Sequence, residues 1–332
     1  MASYAVLGAT SWGVTLAGLL GKGGHDVDLI VRTGVEAASV AGLRGIERLP
    51  EVRLGPAVRP IEPEAARERY EGLIVATPSQ MLRASVRALP LARDVAVLSA
   101  AKGLEHDTLL RMSEVLEEAG WARDAVAVLS GPNLAHEVAR GLPAASVVAS
   151  TSEALAQQWQ RALSHGAFRC YRSSDVVGTE LGGALKNIVA IAAGAAAGLN
   201  LGANAIAAIM TRGLAEMTRL GIALGANPLT FQGLAGIGDL AATCYSPLSR
   251  NHRLGELLAT GLSREQALDE IGEIVEGAAT APAALALAGR LGVEMPIAEQ
   301  VVAVLEGSAR VPEAMTTLLT RALRSEVEPH LR

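Results

Sequence analysis

The chain has 332 residues, of which 50% are hydrophobic and 35 are glycine, and its formal net charge at pH 7 is −5. This composition excludes a disordered chain, and because no basic tract stands out, we expect no nucleic-acid partner. The chain is longer than the length at which a single hydrophobic core usually stops growing, so we expect two domains.

Short β-branched runs alternate with helical stretches through about residue 175. The predicted strands are 4–8, 26–32, 72–77, 94–100, 125–131, 145–150 and 168–172, and the predicted helices lie near 11–22, 79–89, 107–119, 134–140 and 152–164. This alternation predicts an α/β domain with a mainly parallel, doubly wound, Rossmann-like sheet. Beyond it, Ala/Leu-rich helical patterns continue to the C-terminus. We therefore predict a sheet domain over 1–174 and an all-α domain over 175–332.

The most apolar stretch, residues 187–210, has the length of a membrane span. It is rich in alanine and glycine, and Lys186 and Asn187 stand at its start. These features favour a buried core helix over a span. We expect no membrane-spanning segment.

A glycine pattern follows the first predicted strand. Gly8 and Gly13 stand where a dinucleotide-binding loop needs glycine, for the tight turn and for close packing of the next helix. The middle glycine, which brings the backbone close to a pyrophosphate at the helix N-terminus, is replaced by Thr10. The backbone must then retreat slightly, or the hydroxyl must act as a donor. Taken alone, the loop also fits a plain strand–turn–helix.

The end of the second predicted strand bears on cofactor choice. An acidic residue there binds a ribose 2′-hydroxyl, whereas an arginine accommodates a 2′-phosphate. This strand ends in Arg32, 24 residues after Gly8, and no carboxylate follows at once. NADP is therefore at least tolerated beside NAD. The alternative is an exposed surface arginine, which is common in this chain.

Lysine is scarce. Of the 29 basic residues, 26 are arginine, and the three lysines are Lys22, Lys102 and Lys186. A buried ammonium can give up a proton, whereas a guanidinium cannot. A lysine that persists in so arginine-rich a chain is a candidate for proton transfer.

Four later segments carry the functional signal: residues 99–108 with Lys102, 129–143 with Gly131 and Asn133, 178–194 with Lys186, and 233–255 with Asp239 and Arg250. With these segments the chain resembles the bacterial NAD(P)-dependent glycerol-3-phosphate dehydrogenases. The resemblance runs nearly end to end and includes 11–13, 77–79 and 211–236. It implies a dinucleotide-binding domain, a helical substrate-binding domain and an active site in the cleft between them.

Ketone reduction needs a hydride donor, a charged or hydrogen-bonding group at the carbonyl oxygen, and a proton source. Lys186 is predicted to open a buried helix after a Gly-Gly turn, where desolvation would lower its pKa. The resemblance makes Lys186 the general acid–base residue for the C2 oxygen and Lys102 a polarising group. It makes Asp239, in a predicted turn, the residue that orients and charge-balances a lysine. The alternative for Lys186 is a helix-end lysine whose ammonium reaches solvent.

The resemblance also assigns ligand contacts. The substrate-binding residues are Lys102, Gly131, Asn133, Lys186, Asp239, Ser249, Arg250 and Asn251. The cofactor-binding residues are Gly8, Thr10, Ser11, Trp12, Gly13, Arg32, Lys102, Ala135, Arg250 and Glu276. Because residues 249–251 precede a helical stretch, free N–H groups and the Arg250 guanidinium suit a substrate phosphate. The alternative for Glu276 is a solvated glutamate.

One segment departs from the family pattern. Ala203 and Ile206 stand where the family has an aspartate and a lysine. The joint loss of two opposite charges indicates either a neutralised structural ion pair or a reshaped pocket wall that would take a different phosphorylated ketone.

The resemblance implies reversible NAD(P)H-dependent reduction of dihydroxyacetone phosphate to sn-glycerol 3-phosphate, which supplies glycerophospholipid synthesis. The alternatives are a related helical-domain dehydrogenase for another phosphorylated ketone or hydroxy acid, and a non-enzymatic dinucleotide sensor. We expect a homodimer. The first residues show no signal peptide, the cysteines and six histidines show no metal-ligand spacing, and a cytoplasmic protein without bound metal fits best.

Overall fold

The computed structural model describes residues 2–322 and 325. Within these residues lies a sheet of eight strands: β1 (Ser3–Leu7), β2 (Asp26–Ile30), β3 (Val58–Ile61), β4 (Gly72–Val75), β5 (Val97–Ser99), β6 (Val126–Ser130), β7 (Ala144–Ala149) and β8 (Phe168–Ser173). The strand order is β3-β2-β1-β4-β5-β6-β7-β8, and neighbours are parallel except for the antiparallel pair β6 and β7. The predicted Rossmann-like sheet is confirmed, and each of its seven predicted strands is present.

Helices cover both faces of the sheet. They are α1 (Ser11–Lys22), α2 (Gly34–Leu43), α3 (Leu82–Arg87), α4 (Met112–Glu118), α5 (Ala135–Ala139) and α6 (Glu153–Leu163). Helix α4 begins later than the predicted residue 107. The chain first turns at Leu109, whose φ is 64°, and Leu104 forms a β-bridge with Arg111 before the helix starts. The two faces of the sheet carry separate hydrophobic clusters, so the sheet is buried on both sides.

Two elements, β3 and α2, have no counterpart in the prediction. Strand β3 has four residues, includes Pro60 and forms one edge of the sheet, the position where a strand tolerates proline. Helix α2 has one buried residue, Val40, so no apolar stripe marks it in the sequence. Both elements lack the pattern by which their neighbours are recognised.

The remainder of the described chain is helical, as predicted. The helices are α7 (Val176–Gly198), α8 (Gly202–Ala223), α9 (Asp239–Tyr245), α10 (Arg250–Ala259), α11 (Arg264–Ile271), α12 (Glu276–Leu291), α13 (Pro296–Leu305) and α14 (Val311–Leu319). The single core helix predicted over 187–210 is two helices, because the chain turns at Asn200 with a φ of 56°. Among the described residues, α7 alone is long and apolar enough for a membrane span, and 89% of its most apolar window is buried inside the protein.

The two halves of the chain share a core. Leu104 and Leu109, in the 103–111 loop between β5 and α4, pack into the hydrophobic cluster of the helical half. Strand β8 ends at Ser173, and Asp175 caps α7 by accepting a hydrogen bond from the Gly178 amide at 2.9 Å. The domain ranges 1–174 and 175–332 stay a prediction, and residues 1, 323–324 and 326–332 lie outside the described part of the chain.

Candidate active site

Lys186 lies in the interior of α7, not at its start. Gly182 and Gly183 are helical residues of α7, so the predicted Gly-Gly turn is wrong. A Cβ on Gly182 would overlap the backbone oxygen of Ala235, and one on Gly183 would overlap the hydroxyl of Ser130. The glycines therefore let α7 approach both the end of β6 and the segment before α9. This close approach brings α7, with Lys186, to the region between the end of β6 and α9.

Asp239 is the partner of Lys186. Lys186 Nζ donates to Asp239 Oδ1 at 2.5 Å and to Thr243 Oγ1 at 2.6 Å. Asp239 is 1% exposed and is the first residue of α9 rather than part of a turn. Thr243, one helical turn later, donates its hydroxyl to the Asp239 backbone oxygen at 2.7 Å. The sequence analysis missed Thr243, although its i+4 spacing from Asp239 is a usable signal.

Lys102 approaches the same carboxylate from the sheet side. It lies three residues after β5, and its Nζ donates to Asp239 Oδ2 at 2.6 Å and to the Gly131 backbone oxygen at 2.9 Å. Burial lowers the pKa of Lys102 to about 8, although the charge of Asp239 opposes the shift and Lys186 reinforces it. Two ammonium groups from different halves of the chain thus share one buried carboxylate.

Asn133 follows Gly131 in the same loop. Its Nδ2 donates to Ser146 Oγ at 3.0 Å, which fixes the amide plane. Its Oδ1 is a buried atom without a hydrogen-bond partner among the described residues. Because a buried polar atom is normally bonded, this oxygen is an acceptor available to a ligand hydroxyl.

The loop after β1 has the geometry of a dinucleotide-binding loop. Gly8 has a φ of +107°, and a Cβ on Gly13 would overlap the Gly8 backbone oxygen. The Thr10 hydroxyl donates to the Ala76 backbone oxygen at 2.8 Å and accepts from the Gly13 amide at 3.0 Å. This hydroxyl is thus engaged inside the protein. The first-turn amides of Ser11 and Trp12 remain for an anion, since a helix start offers such groups.

Arg48 reaches the same loop, and the sequence analysis missed it. Its Nη2 donates to the Ala9 backbone oxygen at 2.5 Å. The neighbouring Leu49 is fully buried, and Glu51 Oε1 lies within hydrogen-bond distance of His136 Nδ1, at 3.1 Å. These contacts fix the segment that carries Arg48. No motif surrounds Arg48, and one arginine among 26 gives no sequence signal.

The other predicted cofactor residues of the sheet half lie around this loop. Arg32 stands two residues beyond β2, its side chain is 77% exposed, and its Nε lies 3.4 Å from Glu36 Oε2. Trp12 packs edge to face on Phe168 with ring centroids 6.1 Å apart. Ala135 is the first residue of α5. The surface-arginine alternative for Arg32 therefore stays open.

The segment 249–251 forms the start of α10. Ser249 Oγ accepts from the His252 amide at 3.2 Å and caps the helix, while Arg250 is half-exposed with Nη1 3.4 Å from Glu273 Oε2. Asn251 is engaged within the protein. Its Nδ2 donates to Asn187 Oδ1, and its Oδ1 accepts from the Gly277 amide, both at 2.9 Å. Asn251 therefore links α10 to two other helices. In α7 its partner is Asn187, the residue after Lys186, and in α12 its partner is Gly277.

Glu276 is not freely solvated, so the alternative of a solvated surface glutamate is wrong. It is partly buried at the start of α12 and accepts hydrogen bonds from the amide and hydroxyl of Ser79. Burial raises the pKa of the Glu276 carboxyl, and the Ser79 bonds oppose that shift. Glu276 belongs to the helical half and Ser79 to the sheet half, so the pair spans the cleft.

The departures at Ala203 and Ile206 lie away from this cluster. Both residues belong to α8, which begins after α7 has continued from Lys186 to Gly198, about 18 Å of helix. Ala203 is exposed, and Ile206 packs against the helical core. The arrangement favours a neutralised structural pair and does not support a reshaped pocket wall.

The residues present fit a nicotinamide dinucleotide. The loop after β1 adjoins the place where the strand order reverses between β1 and β4, which is where such folds bind dinucleotides. Thr77, after β4, has a buried hydroxyl without a partner among the described residues, and its Cγ2 lies 3.1 Å from the position a Cβ on Gly8 would take. The described residues contain no cluster of three or more metal-ligating side chains.

Comparisons with known proteins agree with this geometry. The N-terminal family model of NAD-dependent glycerol-3-phosphate dehydrogenase matches residues 3–156, and the C-terminal model matches residues 175–316. The glycerol-3-phosphate dehydrogenase [NAD(P)+] of Moorella thermoacetica is 46% identical over 331 residues, which are 98% of each chain. That of Nocardia farcinica is 44% identical over 98% of this chain and 100% of its own.

The structural comparison gives the same answer. The crystal structure of glycerol-3-phosphate dehydrogenase from Coxiella burnetii has a TM-score of 0.90 and 34% sequence identity, and the match covers 96% of this chain and 99% of that one. Similarity of this extent runs through both halves and the cleft where two lysines meet one aspartate. This chain therefore belongs to the NAD-dependent glycerol-3-phosphate dehydrogenase family.

Proposed function

We propose that the protein reduces dihydroxyacetone phosphate to sn-glycerol 3-phosphate with NADH or NADPH, reversibly, and so supplies glycerophospholipid synthesis. The observation that carries this proposal is the sharing of Asp239 by Lys102 and Lys186 at a dinucleotide-binding cleft. Family membership, and the printed names of relatives that match nearly the full chain, support it. A dinucleotide sensor would not need two ammonium groups on one buried carboxylate.

The dinucleotide would be held by the Gly8–Gly13 loop, the amides of Ser11 and Trp12, Arg48 and Glu276. When bound, its nicotinamide supplies a hydride to C2 of the ketone. Arg48 adds positive charge at the loop where the pyrophosphate of such cofactors lies. The inward-turned Thr10 hydroxyl keeps α1 capped and leaves the helix start free for that anion.

Side chains of the protein donate the proton to the C2 oxygen and stabilise the negative charge that develops on it. Lys186 gives a proton to this oxygen as the C2–O bond becomes single, and it regains a proton from solvent afterwards. Lys102 stabilises the developing negative charge. Asp239 and Thr243 hold the Lys186 ammonium between two fixed oxygens, so its direction is set before substrate arrives.

The substrate phosphate is assigned to the start of α10. Ser249 caps this helix, and Arg250 offers a half-exposed guanidinium beside it. Asn251 positions α10 against α7 through Asn187, so the phosphate site and Lys186 keep a fixed separation. The free Asn133 Oδ1 accepts the substrate hydroxyl.

We further propose a cytoplasmic homodimer. Cys170 and Cys244 are free and buried, which suits a reducing compartment. Sedimentation velocity measures the oligomeric state, and a monomer at micromolar concentration contradicts the dimer.

An absorbance assay tests the reaction. We expect dihydroxyacetone phosphate to cause oxidation of NADH or NADPH, and dihydroxyacetone without phosphate to cause little. Titration should give binding of either cofactor in about the micromolar to millimolar range usual for such sites. Cofactor binding without turnover of the phosphorylated ketone would overturn the substrate assignment, whereas no binding would overturn the cofactor site.

The Arg32→Ala variant tests cofactor choice. We expect NADPH binding to weaken by about 1–2 kcal/mol, at the low end for a charged contact because the Arg32 side chain is 77% exposed. NADH binding should stay nearly constant. Arg69→Ala is the matched control, since Arg69 is 70% exposed and ion-paired but lies before β4. Equal loss of both cofactors would show that Arg32 does not contact the 2′-phosphate.

A further inference from the structure

The contact between Ser79 and Glu276 joins the two halves of the chain across the cofactor cleft. Ser79 Oγ donates to Glu276 Oε2 at 2.5 Å, and the Ser79 amide donates to Oε1 at 3.1 Å. Ser79 is 1% exposed, whereas Glu276 is partly exposed. A carboxylate has roughly four acceptor positions, and Ser79 fills two of them. The hydrogen bonds fix the carboxylate plane and leave two acceptor positions for a ligand.

The same serine lies against the loop that carries Lys102. A Cβ on Gly103 would overlap Ser79 Oγ and lie 3.3 Å from Glu276 Oε2. The adjacent Gln80 donates to the Leu104 backbone oxygen at 2.7 Å and accepts from the His106 amide at 2.9 Å. The Ser79–Gln80 dipeptide therefore fixes the Lys102 loop and the Glu276 carboxylate together.

The position and charge of this carboxylate select its ligand. Ser79 follows Thr77, which contacts the Gly8 turn, so the pair lies on the cofactor side of the cleft. A carboxylate repels a phosphate, whether of the substrate or of the dinucleotide. It accepts hydrogen bonds from neutral hydroxyls. The neutral donors of the dinucleotide are its ribose hydroxyls and its amide and amino groups, and of these a ribose diol offers two separate hydroxyls to the two acceptor positions that Ser79 leaves.

We propose that Ser79 is a positioning residue that holds the Glu276 carboxylate across the cleft in the orientation that accepts the ribose hydroxyls of the dinucleotide. The inference rests on the proposed NAD(P) site. Ser79 acts through Glu276 and does not itself contact the substrate. Both NADH and NADPH carry this ribose, so the effect does not depend on the 2′-phosphate.

The test is direct binding of NADH and NADPH, measured by calorimetry without substrate, to the wild type and to Ser79→Ala. We expect both cofactors to bind about tenfold more weakly to the variant, since one hydrogen bond to a charged group is lost while the backbone bond remains. Ser79→Cys, with a weaker donor, should fall between them. Thermal melting checks that each variant is folded.

Two comparisons separate positioning from general damage. Ser99→Ala is the matched control, because Ser99 ends the adjacent strand β5 and its buried hydroxyl has no partner among the described residues. It should leave cofactor binding unchanged. In a Glu276→Ala background, Ser79→Ala should weaken binding by less than twofold, since there is no carboxylate left to position. A full tenfold effect in that background would overturn the proposal.

The pH dependence of cofactor binding distinguishes the positioning role of Ser79 from a purely structural one, because a purely structural role would leave the pH profile unchanged. Arg250 of α10 is the charged group that acts on Glu276, and the facing residues Ser79 and Gly103 are uncharged. Both Ser79 bonds favour the ionised carboxylate, so loss of the hydroxyl bond in Ser79→Ala raises the pKa of Glu276 further. We expect cofactor affinity to fall on acidification at a higher pH in Ser79→Ala than in the wild type.

A wild type that binds no dinucleotide refutes the proposed function. A wild type that binds normally, with Ser79→Ala like Ser99→Ala in affinity and pH profile, refutes this inference alone.

Discussion

Lys186→Arg is expected to lower kcat by about 10²–10⁴, the range for loss of a positioned proton donor. Arginine keeps the positive charge but does not give up a proton, and its planar fork is wider than an ammonium. The space is also fixed, because Nζ lies between Asp239 Oδ1 at 2.5 Å and Thr243 Oγ1 at 2.6 Å. The measurement is steady-state reduction of dihydroxyacetone phosphate at saturating NADH.

Two controls accompany this variant. Lys22→Arg changes an exposed lysine at the end of α1 and should leave kcat unchanged. NADH binding to Lys186→Arg should match the wild type, since the lysine acts on the ketone oxygen and not on the dinucleotide. A kcat within a few-fold of the wild type would contradict the role of Lys186 in proton transfer.

The largest expected loss of stability comes from Arg111→Ala. Arg111 Nη1 donates to Glu180 Oε2 at 2.7 Å, and Ser113 donates to the same carboxylate through its amide and hydroxyl. The Glu180 side chain is 7% exposed. Removing the cation leaves a buried charge without its counterion, which costs about 3–5 kcal/mol of the free energy of unfolding. Urea denaturation measures this loss.

The pH dependence of that loss has a definite sign. Burial raises the pKa of Glu180 even with Arg111 present, and the variant raises it further. A group with a raised folded-state pKa favours folding at low pH and loses that contribution as pH rises through the folded pKa. The deficit of Arg111→Ala should therefore be larger at about pH 8 than at about pH 5.

Arg310→Ala is the matched control for Arg111→Ala. Arg310 also precedes a helix and pairs with a glutamate three residues later, but its side chain is 81% exposed. Exposed pairs of this kind contribute little to stability. Equal destabilisation by the two substitutions, or a pH-independent loss in Arg111→Ala, would contradict the role given to the buried Glu180.

The secondary structure could be predicted from the sequence wherever buried positions give a regular pattern of apolar residues. Strand β6 is buried at all five positions, and its apolar run identifies it. Helix α6 alternates buried and exposed residues with helical spacing. Strand β3 and helix α2 bury too few side chains to leave such a pattern. Strand β3 takes its place by pairing with β2, and α2 packs on β3; no local window contains these partners.

The candidate site was accessible only in part, for a different reason. The resemblance named Lys102, Lys186 and Asp239, and the structure joins them in one hydrogen-bond network. The contact of Ser79 with Glu276 spans 197 positions, and no spacing rule links residues so far apart. The helical position of Lys186 was also hidden, because adjacent glycines suggest a turn unless the close approach of another segment is known.

The placement of Leu104 and Leu109 in the helical core has a consequence for how the protein folds. A fragment that begins at residue 175 would lack two of the side chains that complete its own interior. The sheet half, expressed alone, would expose the same two leucines to water. Each half alone would therefore lose part of a shared interior, so we expect the two halves to stabilise each other against unfolding.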